Sequence, residues 1–98
     1  MKKNNIFELD AIYDARQSFY GKAKVIEDGE KTILRSYDTA VAMIDGNGEL
    51  KIRGKYSQTT TRHVKEFAKQ YGFNVDKGID KYFVSDAKTE RIFEKYDA

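Results

Sequence analysis

Between residues 20 and 55 apolar and polar side chains alternate with a period of two, interrupted by short glycine-containing turns. Asp28-Gly29 and Asn47-Gly48 both suit the positive φ angles of a two-residue hairpin turn, and counting outward from them sets a register. In the first hairpin Val25 then faces Thr32 and Ala23 faces Leu34; in the second, Met43 faces Ile52 and Val41 faces Gly54. A tight connection at Asp38-Thr39 pairs Leu34 with Met43. The three counts agree on parity, which matters because a slip of one residue sends every side chain to the other face. They predict a four-stranded antiparallel meander. Its inner face carries Ala23, Val25, Leu34, Val41, Met43, Leu50 and Ile52. Its outer face carries Tyr20, Tyr37, Ile33, Ile44 and the basic residues Lys22, Lys24, Arg35, Lys51, Arg53 and Lys55.

The period changes after residue 57. Val64, Phe67, Ala68 and Tyr71 recur at helical spacing, so a helix over 60–71 covers the inner face, with Gly72 at its left-handed end and Arg62, Lys65, Glu66 and Lys69 on its wetter side. Asn5-Ile-Phe-Glu8 has the form of a capping box and predicts a short N-terminal helix. Thr89 to Tyr96 predicts another behind Ser85 or Asp86, and residues 79–84 read as a strand or a surface crossing. The expected fold is α+β: a four-stranded antiparallel β-meander with one face covered by an α-helix and short helices at the termini. The whole chain, 1–98, reads as one such domain, with a core over 18–73 and a C-terminal extension over 74–98.

Composition narrows the chemistry. The chain has no cysteine and one histidine, which removes disulfides, thiolate zinc sites and a cysteine nucleophile. No apolar run approaches a bilayer span, and the Met-Lys-Lys start lacks a signal peptide's apolar core, so a cytoplasmic protein is expected. The net charge is only +2, but six cations (Lys51, Arg53, Lys55, Arg62, Lys65, Lys69) and a single acid, Glu66, fall between residues 51 and 69.

Each candidate motif has a plain structural alternative. Asp45-Gly-Asn47-Gly-Glu49 has the front of a calcium loop but carries Leu50 where glycine is needed and Tyr56 where glutamate is needed, so it reads as a turn. His63 is a possible general base by its pKa, but no triad spacing surrounds it, and a helix-flank role accounts for it. Ser57, Thr59 and Thr60 supply a helix cap, or, with Arg62 and His63, an anion site at a helix start. The outer sheet face is the broadest signal: six cations without an acid, with Tyr20 and Tyr37 among them, suit unpaired bases and phosphates or an acidic protein surface. The alternative is a solvated face, or one partly covered by the C-terminal tail. The binding residues expected from this reading are Tyr20, Lys22, Lys24, Arg35, Tyr37, Lys51, Arg53, Lys55, Arg62, His63 and Lys65. No catalytic residue, metal or cofactor is expected.

The strings SFYGKAKV (18–25), SYDTAVAMI (36–44) and YSQTTTRHVKEFAKQYGF (56–73) resemble an uncharacterised family of small proteins carried by phages, plasmids and integrated elements of low-GC Gram-positive bacteria. The resemblance covers about residues 13–73. It implies a mobile-element protein that acts by binding, with an anti-CRISPR inhibitor of a type II effector nuclease as one outcome. The partner implied is then the effector or its guide RNA. The alternative is a nucleic-acid-binding accessory protein of phage replication or regulation.

Overall fold

A computed structural model of the chain describes residues 5–15, 18–54, 57–75 and 86–98. Five strands form one antiparallel sheet in chain order: β1 (Asn5–Glu8), β2 (Ala23–Asp28), β3 (Lys31–Ser36), β4 (Thr39–Ile44) and β5 (Leu50–Ile52). Helix α1 (Gln58–Gln70) covers one face and α2 (Ala87–Glu94) the other. The α+β class is as expected, but the strand count is not. Asn5–Glu8 is a strand paired with β2 and not a helix: Phe7 opposite Val25 and Ile6 opposite Ile26 satisfy the β2 edge, and that pairing outweighs a local capping signal.

The register departs from the expected one in four places. The middle turn is Tyr37-Asp38 and not Asp38-Thr39, so Ser36 opposes Thr39 and Leu34 opposes Ala42 instead of Met43. The first turn is Gly29-Glu30, so Val25 opposes Leu34 and Ile26 opposes Ile33. That shift of two residues keeps both faces and puts apolar side chains across from each other. In β4 a bulge inserts Val41 between the Arg35–Ala40 and Leu34–Ala42 pairs. The last turn is a five-residue loop, because the Asp45 carboxylate accepts from the Asn47 and Glu49 amides at 2.9 and 3.0 Å. Bulge and loop each flip parity. Ala42 and Ile44 therefore turn toward α1 and Met43 toward α2, while Leu50 and Ile52 return to the expected face.

Ser57 caps α1, its hydroxyl accepting from the Thr60 amide at 3.3 Å, and Gly72 takes φ +85° after it. Val64, Phe67 and Ala68 pack on Leu9, Phe19, Val25, Leu34, Ile52 and Val75. Tyr71 is largely exposed, whereas His63 and Glu66 are buried, both against expectation.

The face expected to be open and basic is a docking face for α2. Phe93, with Ile92 and Tyr96, packs on Ile26, Ile33, Ala40 and Met43. Arg53 donates to Glu90 at 2.7 Å and to Asp97 at 2.8 Å, and its guanidinium stands 5.8 Å from the Phe93 ring centroid. Lys51 pairs with Asp45 at 3.6 Å. Arg35 is half-buried, its Nε without a hydrogen-bond partner among the described residues. Lys22 and Lys24 stay exposed; Lys55, with residues 79–84, lies outside the described residues. The acids that offset Arg53 come from the C-terminal segment, so a count along the strands alone misses them. No helix among the described residues is long and apolar enough to cross a membrane.

Candidate binding pocket beside the start of α1

Tyr20 and Tyr37 do not sit on a strand face as expected. Each is in a turn with a left-handed backbone, φ +55° and +57°, a conformation that costs a non-glycine residue on the order of 1–3 kcal/mol. The first turn is held by Ser18, whose hydroxyl accepts from the Tyr20 amide at 2.9 Å, and by the Gly21 amide donating to Glu8 at 2.8 Å. The second is tied to it directly, the Tyr37 amide donating to the Lys22 carbonyl at 2.7 Å. These two turns and the first turns of α1 enclose a pocket of about 230 Å³, walled by Phe19, Tyr20 and Tyr37 and rimmed by Lys22 and Arg62, with Ser18, Thr59 and His63 completing it. Lys22 Nζ lies 5.6 Å from the centre of the Tyr37 ring, a cation–π distance.

His63 is 1% exposed. Its Nδ1 is 2.8 Å from Ser36 Oγ, which is 3.1 Å from Thr60 Oγ1, and its ring meets the Phe19 ring edge-on at 4.6 Å. Thr60 thus faces inward to the sheet, and the cap falls to Ser57. Burial holds the His63 pKa below its ordinary value, with the charge of Asp14 opposing. The Ser36–His63 contact is not laid out for nucleophilic attack: Ser36 is itself buried, and no described carboxylate hydrogen-bonds the ring. The described residues contain no group of three or more His, Cys, Asp or Glu able to hold a metal ion.

The lowered His63 pKa has a pH signature. Between the folded pKa and the unfolded value of about 6.5 the unfolded chain binds more protons, so the stability is complete above about pH 6.5 and falls as the pH drops through that window. Tm should be lower at about pH 5.5 than at about pH 7.5, and His63→Gln should show a smaller difference. An equal drop in both proteins would mean that other groups cause it.

Arg62 also borders a second, smaller pocket of about 100 Å³ lined by Tyr13, Asp14, Lys65, Glu66 and Lys69. The segment that brings Tyr13 there is strapped to α1 by Glu66, whose Oε1 accepts from the Tyr13 and Asp14 amides, both at 2.8 Å. Gln70 completes the strap by donating to Glu66 at 2.7 Å and to the Asp10 carbonyl at 2.6 Å. The expected binding residues Tyr20, Lys22, Tyr37, Arg62 and His63 therefore converge on one pocket, and Lys65 on its neighbour. Lys24, Arg35, Lys51 and Arg53 lie elsewhere, on the α2 face of the sheet. Phe19, Tyr13 and Lys69 are additions that strand alternation cannot show.

A family model described as a family of unknown function (DUF8033) matches residues 7–85. The chain belongs to that family. The matched span contains the whole pocket and ends before α2. Searches of curated proteins and of solved structures found no match.

Proposed function

We propose that this family member acts by binding and that its ligand is a nucleic-acid strand with unpaired bases. The strand lies along the strip from Tyr20, Lys22 and Tyr37 past Arg62 to Lys65, Lys69 and Tyr13. The observation that supports this is the pair of left-handed tyrosines bordering a cation-rimmed pocket. Backbone strain of this kind is kept where the surroundings enforce it, and clusters at functional sites. Exposed aromatic rings stack bases of any sequence, and interleaved cations neutralise the phosphates between them. A non-enzymatic role accords with the burial of Ser36, the hydroxyl nearest the His63 ring.

The biological setting proposed is the one implied by the resemblance, inhibition of a type II CRISPR effector through contact with its guide RNA. An accessory role in phage replication or regulation is the alternative use of the same strip. A nuclease assay with added protein, with and without preloaded guide RNA, separates the two: inhibition supports the first, and full nuclease activity at micromolar protein rejects it.

The binding reading itself is tested by titrating a single-stranded RNA and a DNA 12-mer at several salt concentrations. The logarithm of affinity should fall with log salt by about 0.7 per phosphate neutralised, and Lys22→Ala or Arg62→Ala should lower that slope by about one. Tyr20→Gly should leave Tm unchanged or raise it, because glycine takes φ +55° freely and the side chain is 75% exposed, while affinity drops about 5- to 150-fold. Affinity that does not respond to salt rejects the proposal.

A further inference from the structure

We infer that the pocket holds one unstacked nucleobase, its edge hydrogen-bonded to His63 Nε2 and its two flanking phosphates lying on Lys22 and Arg62. This rests on the nucleic-acid reading above and adds to it a particular occupant for a particular cavity.

The size of the pocket, about 230 Å³, is below the range of about 300–1,000 Å³ typical of drug-sized ligands, and suits one planar ring system. Three aromatic rings, Phe19, Tyr20 and Tyr37, line it together with the polar Ser18, Lys22, Thr59, Arg62 and His63, a mixture that offers a base both ring faces to stack on and polar groups for its edge.

The hydroxyl network engages one edge of the histidine: Ser36 Oγ lies 2.8 Å from His63 Nδ1 and 3.1 Å from Thr60 Oγ1. Nδ1 is thereby occupied, and Nε2 is the ring nitrogen left for a ligand. His63 lines the pocket, and no hydrogen bond to its Nε2 is seen among the described residues. Base edges carry both donors and acceptors, so either tautomer of the ring can meet one. Lys22 is exposed and Arg62 half-buried, so both offer their charge to phosphates on the solvent side of the pocket.

The experiment compares three RNA 12-mers on the full chain: one of ordinary sequence, one wholly abasic, and one abasic except for a single central uracil. The single base should raise affinity about 5- to 150-fold over the abasic strand, with the salt slope unchanged. His63→Asn, which keeps a polar atom near the Nδ1 position, should lose that gain; His63→Gln, which places an N–H near Nε2, should keep part of it. If the one-base strand binds no better than the abasic one while all three keep a salt-dependent affinity, base capture is overturned and the strip reading stands. If no 12-mer binds, both fall. The comparison of strands uses the unmodified protein, so it holds even if a His63 variant does not fold.

Discussion

Phe67→Ala is expected to lower the unfolding free energy by about 3–5 kcal/mol. The side chain is 0% exposed at the centre of the cluster that joins α1 to β2, β3, β4 and β5, and its ring stands 5.1 Å from that of Tyr71. Removing it leaves a hole that rigid strands on one side and a helix on the other cannot close. In a chain of this length each kcal/mol corresponds to about 4–8 °C in Tm, so the change is large against a total of the usual 5–15 kcal/mol. Phe19 and His63, which belong to the same side of the sheet, should lose their backing, and binding at the pocket should weaken with stability. A loss under about 1 kcal/mol, read by urea unfolding with an unchanged slope, would show that α1 is not the main cover of the sheet.

Phe93→Ala tests the opposite face and should have an effect of similar size, about 3–5 kcal/mol. Phe93 is 1% exposed, seated on Ile26, Ile33, Ala40 and Met43, with the Arg53 guanidinium over its ring. The polar grip around it, from Arg53 to Glu90 and Asp97 and from Tyr96 to Asp28, lies at a partly exposed rim and should not hold α2 by itself. Hydrogen exchange at residues 87–94 should accelerate in the variant. The pocket lies across the sheet from this cluster, so ligand affinity at a temperature where the variant is folded should be unchanged. A Tm within about 2 °C of the parent would mean that the α2 face adds little to folding.

What could be read from the sequence was local. Alternation located β2 to β5, helical spacing located α1, and Gly72 marked its end, because each signal is carried by neighbours in the chain. The faces of β4 are not legible for a different reason: the Val41 bulge and the five-residue Asp45-capped loop each move the register by one residue relative to two-residue turns. A signal for the second was present, since an aspartate opening Asp-Gly-Asn-Gly competes for the amides that follow it. His63 was also legible in principle, because Thr60, His63 and Phe67 share one stripe of α1 and that stripe meets the sheet. The left-handed tyrosines had no such signal. Beyond the local Ser18 contact, the ties that hold these turns are long-range, Glu8 to Gly21 and Lys22 to Tyr37. Cover of the basic face by the C-terminal segment stood only as the alternative reading, because the acids facing Arg53 arrive from 37 and 44 residues away and strand alternation does not place them.

The order β1-β2-β3-β4-β5 also has a kinetic side. From β2 onward each strand finds its partner across a turn of two to five residues, while β1 reaches β2 across residues 9–22. The β2–β5 meander can therefore zip up hairpin by hairpin, in the order in which it is synthesised. The docking of α2 must wait until residues 86–98 have been made.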